Sequence, residues 1–175
     1  MQGKAMLGYV IAREPGVTDD LMRAVATRLR ADGVHVIGAV QVNLVTDPDT
    51  KCHMDLHILN GDDVVRISQN LGALSKGCRL DPDGLERAVG LVAAHVEAGG
   101  DILIVNKFGK QEADGRGFRP VIGEALAAGI PVLTAVGETN LPAFLEFAED
   151  YAELLPNTAE NVLNWANARM RDTAV

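Results

Sequence analysis

Three short runs of apolar residues, each followed by a polar or glycine-containing loop, constrain this chain more than any other feature. They are Met6 to Ala12 (MLGYVIA), Asp101 to Asn106 (DILIVN) and Pro131 to Val136 (PVLTAV). Apolar runs of this length without polar alternation are typical of strands that are covered on both faces, as in the parallel sheets of α/β proteins. The sequence therefore predicts an α/β fold in which a mainly parallel sheet lies between two layers of helices.

Helical periodicity separates the apolar runs. After a turn over residues 13–16, a first helix is predicted to begin with Thr18 as its N-cap and to end at Gly33, and a second strand follows over 34–41. A strand, helix and strand in this order normally connect parallel strands by a right-handed crossover. Further helices are predicted over residues 81–99, 118–128, 141–149 and 158–170.

The segment over about 43–79 has a different pattern. Apolar and polar residues alternate from Met54 to Ile58, and Asn60-Gly61 is a strong hairpin turn before a returning strand over 64–67. We therefore expect an antiparallel hairpin insertion at 43–79 within a single domain that covers residues 1–175.

Composition excludes several classes of function. The chain has 175 residues with 24 acidic and 16 basic side chains, and its net charge of −8 repels nucleic acid and anionic lipid. Its apolar runs are shorter than the ~20 residues of a membrane-spanning helix, and the first residues lack the layout of a signal peptide. Two cysteines are too few for a disulfide scaffold or a four-cysteine zinc site. We expect a soluble, cytoplasmic protein that binds neither nucleic acid nor membranes.

The loop after the first strand lies where a phosphate-binding loop would lie, and from Ile11 onwards it can be aligned with the pattern G-x-x-x-x-G-K-[ST]. Gly16 and Thr18 match the pattern, whereas Ile11 replaces the first glycine and Val17 replaces the lysine. Valine cannot supply the charge that meets the β- and γ-phosphates, and the DILIVN strand ends in the neutral Asn106 where magnesium needs an acidic ligand. The alignment therefore predicts a degenerate phosphate-binding loop.

Four stretches of the sequence resemble a known family: DILIVNKFGKQEADGRGFRPVIGEALAAGIPVLTAV, CHMDLHIL, RISQNLG and GCRLDP. The family is a bacterial one of unknown function that is related to nucleoside triphosphatases of the P-loop class, and the resemblance covers nearly the whole chain. It implies a P-loop-NTPase-like fold. Because the family is often associated with molybdenum-related genes, it also implies a role in the handling of molybdate or the molybdenum cofactor. Active relatives of the wider class have an acidic pair where this chain has Asn106 and Lys107.

The loop over 107–117 concentrates positive charge in a chain that is otherwise acidic. Its glycines permit close approach of the backbone to a ligand, and the helix predicted from Phe118 adds N-terminal amides that attract anions. We expect the cations to converge with the entrance of the first helix on a small anion or a nucleotide, the alternative being a solvated loop. The predicted ligand-binding residues are Arg13, Gly16, Thr18, Asn106, Lys107, Lys110, Arg116 and Arg119.

Glu112, in the same loop, is the candidate catalytic residue. It would position water if the chain were a divergent nucleoside triphosphatase in which Arg13 or Lys107 replaces the missing lysine. The alternative is that Glu112 pairs with a neighbouring cation.

A second cluster, made of Cys52, His53 and His57, is a candidate metal site. In an extended strand His53, Asp55 and His57 share one face, and two imidazoles with a carboxylate are adequate ligands for a transition metal. Any solvated strand face shows the same pattern, so this alternative stays open. The sequence assigns no cofactor.

Three functions follow as hypotheses. The first is a nucleotide- or oxyanion-binding protein with a degenerate phosphate-binding loop, which acts in molybdate or molybdenum-cofactor metabolism. The second is a divergent nucleoside triphosphatase. The third is a non-catalytic interaction module that forms a homo-oligomer through the hairpin at 43–79, because an exposed sheet edge invites pairing.

Overall fold

A seven-stranded sheet lies between two layers of helices in the computed structural model, which describes residues 4–47, 51–69 and 79–173. Its strand order is β4-β3-β2-β7-β8-β1-β9. The strands of this sheet are β1 (Leu7–Ala12), β2 (Val36–Asp47), β3 (Lys51–Ile58), β4 (Val64–Arg66), β7 (Ile102–Phe108), β8 (Val132–Gly137) and β9 (Ala152–Leu154). Two further short strands, β5 (Ser68–Gln69) and β6 (Arg79–Leu80), pair with each other.

The helices lie on both faces of the sheet. They are α1 (Pro15–Ala31), α2 (Pro82–Ala98), α3 (Lys110–Ala113), α4 (Arg119–Ala127), α5 (Leu141–Ala148) and α6 (Ala159–Thr173). Helices α1 and α6 cover one face, and α2, α4 and α5 cover the other. The predicted α/β architecture with two helical layers is therefore confirmed. Within the described ranges, no helix combines the length and the apolar character that crossing a membrane requires.

Strand β7 lies at the centre of the sheet and supplies side chains to both cores. Ile102 and Ile104 face the α1 layer, whereas Leu103 and Val105 face the α2 layer, and all four are fully buried. This accounts for the uninterrupted apolar run in the sequence, because a strand that is covered on both faces has no solvent-facing side. At the end of β7, the side chain of Phe108 packs in an aromatic cluster. The centre of its ring lies 5.1 Å from that of Phe144.

The predicted antiparallel insertion is confirmed for the part of it that the structure describes. Strand β2 pairs in parallel with β7 only from Val36 to Ala39, and then continues as a ribbon that is paired antiparallel with β3. Strand β4 returns alongside β3 after the Asn60-Gly61 turn. Residues 48–50 and 70–78 of the insertion lie outside the described residues. Because β2 leaves β7 after Ala39, the two strands separate at the carboxyl edge of the sheet.

Helix α1 begins earlier than the sequence indicated. It starts at Pro15, and proline suits a first helical position because the missing N–H has no partner there. Thr18 is therefore not the N-cap. It lies buried in the first turn, where its hydroxyl donates to the carbonyl of Glu14 at 3.4 Å. Only two residues, Arg13 and Glu14, connect β1 to α1, so the stretch from Ile11 to Thr18 that was aligned with the phosphate-binding pattern includes the end of β1 and the first turn of α1.

Gly38 allows β2 to approach β7 closely, and we predict that Gly38→Ala lowers the free energy of unfolding by about 2–4 kcal/mol. Its φ is +121°, and a Cβ there would lie 1.9 Å from the carbonyl oxygen of Ile104. The matched control is Gly90→Ala on the exposed face of α2, which meets no atom within 4 Å and should stabilise the protein by about 0.5–1 kcal/mol. Urea unfolding measures both. A Gly38→Ala variant as stable as the wild type would contradict the β2–β7 register.

Candidate functional site

A cleft of about 370 Å³ opens at the carboxyl edge of the sheet, where β2 and β7 separate. It lies on the α2 side of the sheet, and we call it the lysine cleft. Its polar lining residues are Gln41, Asn106, Lys107, Lys110, Gln111 and Asn140, and Glu112 lies beneath them. The carboxyl edge is where open parallel sheets usually bind ligands.

Asn106 bridges the two strands where their backbone hydrogen bonds end. Its side-chain oxygen accepts the backbone N–H of Gln41 at 2.9 Å, and its NH₂ group donates to a carboxylate oxygen of Asp19 at 2.8 Å. An amide can accept and donate in this way, whereas an aspartate at the same position could not donate. Asn106, which the sequence predicted as a ligand-binding residue, is thus also a buried structural bridge.

Asp19 places a carboxylate on α1, directly after the first turn of the helix. Its second oxygen accepts a hydrogen bond from the side chain of Asn43 at 3.0 Å. Burial raises the pKa of Asp19, while the hydrogen bonds from Asn106 and Asn43 and the charge of Lys107 act in the opposite direction. A carboxylate here opposes the binding of an anion at the helix entrance. Sequence reasoning missed this residue, although an acidic side chain directly after Thr18 was a visible signal.

The entrance of α1 does not join the lysine cleft. Gly16 is exposed in the first turn of the helix, and neither it nor Thr18 lines the cleft. Arg13 pairs with Glu138 at 3.4 Å on the surface, also outside the cleft. The first loop, which we expected to converge with the cations after β7, therefore does not line the same cleft.

Two of the cations predicted to bind ligand line the lysine cleft. Lys107, at the end of β7, and Lys110, at the start of α3, are both exposed there, next to the buried Asn106. Both lysines come from one short segment, near the irregular pairing of β7 with β8 between Val105 and Phe108, and both reach the same opening. Of the eight predicted ligand-binding residues, the structure brings these three together.

The two arginines of the same loop are engaged elsewhere. Arg116 lies 3.6 Å from the carboxylate of Asp114, and both side chains are largely exposed. The guanidinium of Arg119 stacks over the ring of Phe147, 4.9 Å from its centre. Neither arginine lines the lysine cleft.

Glu112 holds the loop after β7 in shape. Its two carboxylate oxygens accept the backbone N–H groups of Gly109 at 2.8 Å and of Phe118 at 3.0 Å. A Cβ at Gly117, whose φ is +61°, would lie 1.6 Å from the carboxylate, so only glycine fits there. Burial raises the pKa of Glu112 against the effect of these backbone hydrogen bonds. Its catalytic role stays a prediction, since both oxygens already have backbone partners.

The histidine cluster on β3 is dispersed along the strand. His53 and His57 are four residues apart, which spans about 13 Å in a strand. Asp55 between them is buried and accepts two hydrogen bonds from Arg66, at 2.9 and 3.3 Å. Across the described ranges, no group of three or more His, Cys, Asp or Glu side chains is placed to hold a metal. The side chain of Cys52 lies outside them, so the metal site stays a prediction.

The floor of the lysine cleft was missed by sequence reasoning. It is apolar and combines the insertion with the α2 layer. Its residues are Met54, Leu56, Ile67, Leu80, Leu85 and Phe118. Periodicity could not have distinguished them, because a cleft floor and a closed core have the same apolar pattern.

The strand order and the two helical layers define an α/β domain of the P-loop-NTPase-like class. The fold is similar to that in the crystal structure of THEP1 from the hyperthermophile Aquifex aeolicus, with a TM-score of 0.59. The alignment covers 95% of this chain and 94% of that chain at 15% sequence identity, and at this identity it shows the fold alone. The chain itself belongs to the family described as protein of unknown function DUF2478, which matches residues 7–165. The family resemblance seen in the sequence is thereby confirmed.

A relative with a described function is the molybdenum import ATP-binding protein ModC 2 of Bradyrhizobium diazoefficiens. It is 36% identical over 138 residues, which are 79% of this chain. The match spans only 15% of the length of that relative. ATP binding and molybdenum import are therefore descriptions of a much longer protein.

Glu112→Gln should lower the free energy of unfolding by about 1–3 kcal/mol at neutral pH, because an amide can accept only one of the two backbone N–H groups. Urea unfolding measures the loss. Glu124→Gln on the exposed face of α4 is the matched control and should have little effect.

The difference in the free energy of unfolding between the wild type and Glu112→Gln should also depend on pH. Since burial raises the folded-state pKa of Glu112, the folded protein binds this proton more tightly than the unfolded chain, whose pKa is near 4.5. Stability contributed by protonation is present below 4.5 and is lost as the pH rises through the folded-state pKa. Relative to Glu112→Gln, the wild type should gain stability as the pH falls through this window, and a constant difference would contradict the burial effect.

Proposed function

We propose that this chain is a binding domain that holds a small anion, either a nucleotide or an oxyanion, in the lysine cleft. The observation that carries the proposal is the pair Lys107 and Lys110, which share one opening at the carboxyl edge of the sheet. In the ranges that the structure describes, neither ammonium group forms an ion pair with a protein carboxylate. Two unpaired cations in one cleft of an acidic chain supply the charge that an anion needs.

The comparisons support the nature of the ligand. The P-loop-NTPase-like fold favours a nucleotide, and the similarity to ModC 2, a molybdenum import ATP-binding protein, favours ATP or molybdate. Both candidates are anions, so the two lysines suit either. A role in molybdate or molybdenum-cofactor metabolism is part of this proposal.

The ligand would be held by side chains of the lysine cleft and not by a loop that wraps phosphate. The connection between β1 and α1 has two residues, Val17 stands 56% exposed where the loop pattern has lysine, and Asp19 adds negative charge. The phosphate-binding loop is thus degenerate in geometry as well as in sequence under this proposal.

The geometry favours the hypothesis that the chain binds its ligand without turnover. A divergent nucleoside triphosphatase would need Arg13 or Lys107 at the phosphates and Glu112 on the water. Arg13 is paired with Glu138, and Glu112 is held by two backbone amides.

The interaction-module hypothesis also stays a prediction. The observation in its favour is the three-residue edge strand β4, on which Val64 is 52% exposed. An exposed edge of this kind can pair with a second copy of the chain. Light scattering coupled to size exclusion distinguishes a homo-oligomer from a monomer.

Replacing the two lysines should weaken anion binding. We expect Lys107→Ala and Lys110→Ala each to raise the dissociation constant for ATP by about fivefold, which corresponds to about 1 kcal/mol, and the double variant by more than tenfold. Isothermal titration at low salt with ATP, inorganic phosphate and molybdate measures the effect. Arg171→Ala on the exposed surface of α6 is the charge-matched control. If the wild type binds none of these probes, the proposed function is wrong.

The absence of turnover can be tested directly. We expect wild-type protein with ATP and Mg²⁺ to release phosphate no faster than a blank, because Glu112, the one carboxylate among the described residues that line the lysine cleft, is held by two backbone N–H groups. A phosphate-release assay measures this. Release that is lost in Glu112→Gln but retained in Glu124→Gln would contradict the expectation and favour the hydrolase.

A further inference from the structure

The lysine cleft has two chemically different parts. One end carries the ammonium groups of Lys107 and Lys110 above the buried carboxylate of Glu112, and the rest of the described floor is apolar. Leu56, Ile67, Leu85 and Phe118 are buried in that floor, while Met54 and Leu80 at its margin are half-buried. A ligand that fills the cleft must match both parts.

The size of the cleft argues against a bare oxyanion as its full occupant. Liquid water takes about 30 Å³ per molecule, so a volume of about 370 Å³ has room for roughly twelve waters. A tetrahedral oxyanion would occupy the end near the lysines and leave the apolar floor in contact with water. Covering that floor with an apolar body adds a favourable contribution that the oxyanion cannot supply.

The rim of the cleft offers hydrogen bonds above the apolar floor. The side-chain oxygen of Gln111 accepts a hydrogen bond from Arg116, which leaves the NH₂ group of Gln111 to donate to a ligand. Asn140 also lies at the rim. Amide groups of this kind can bind the polar edge of a heterocyclic ring whose faces lie against apolar side chains.

The charges around the cleft limit the number of phosphate groups that a bound ligand can carry. Two lysines balance the charge of one phosphate group, which is near −2 at neutral pH. The carboxylate of Asp19, which is hydrogen-bonded to Asn106 and interacts with the charge of Lys107, adds negative charge next to the cleft and opposes additional phosphates. The volume also lies at the lower end of the range of about 300–1,000 Å³ for ligand pockets.

We propose that the lysine cleft binds a phosphate monoester of a compact heterocyclic body, of the size of a nucleoside monophosphate. The phosphate contacts Lys107 and Lys110, and the ring lies on the apolar floor between the insertion and α2. This inference rests on the proposed function and makes it narrower: further phosphates or Mg²⁺ contribute nothing to affinity. The site is distinct from the entrance of α1, which lies on the other face of the sheet.

Wild-type protein should distinguish five probes in isothermal titration at low salt. We expect AMP to bind at least tenfold more tightly than inorganic phosphate or molybdate, and more tightly than adenosine. ATP should bind no more than about threefold more tightly than AMP, with or without Mg²⁺. If phosphate or molybdate binds as tightly as AMP, or if Mg²⁺ and ATP together bind tenfold more tightly than AMP, the inference is wrong but the proposed function stands. If no anion binds, both are wrong.

A variant of the cleft margin separates the two parts of the ligand. The double variant Met54→Ala with Leu80→Ala should weaken AMP about tenfold and leave phosphate affinity within twofold, because only the ring loses contacts. Leu145→Ala on α5, which is 43% exposed and outside the cleft, is the matched apolar control. Equal losses for AMP and phosphate would contradict the assignment of the floor, and circular dichroism confirms that each variant is folded.

Discussion

The site depends on the hydrogen bonds that the side chain of Asn106 forms. Strand β2 must leave β7 after Ala39 to form the ribbon with β3, and a separation inside a sheet would expose backbone groups without partners. The amide of Asn106 satisfies the N–H of Gln41 on one strand and ties the junction to Asp19 on α1. The N–H of Gln41 therefore keeps a hydrogen-bond partner where the sheet opens at its carboxyl edge.

Charges of opposite sign lie on the two sides of this junction. On the α1 side, the carboxylate of Asp19 accepts hydrogen bonds from the side-chain amides of Asn106 and Asn43. On the α2 side, Lys107 and Lys110 line the cleft, and the loop that carries Lys110 is held by the buried carboxylate of Glu112. A fold of the P-loop-NTPase-like class thus presents its positive charge away from the helix that most often binds phosphate in such folds.

Much of the fold could be predicted from the sequence, because buried parallel strands and an antiparallel hairpin have different apolar patterns. The start of α1 could not be predicted, because Thr18 is both a good N-cap and a match to a phosphate-binding pattern. The helix begins instead at the proline three residues earlier. At the site, Lys107 and Lys110 were found by their charge. The partners of Asp19 and Glu112 depend on contacts between distant segments, and the apolar floor has the same pattern as the core.

The central proposal is that anions bind on the lysine side of β7. A titration of ¹⁵N-labelled protein with AMP, followed by amide chemical shifts, tests this most directly. We expect the largest changes over residues 107–111 and at Asn140, with little change over 16–18. Changes confined to residues 16–18, with 107–111 unaffected, would place the ligand at the entrance of α1 and contradict it.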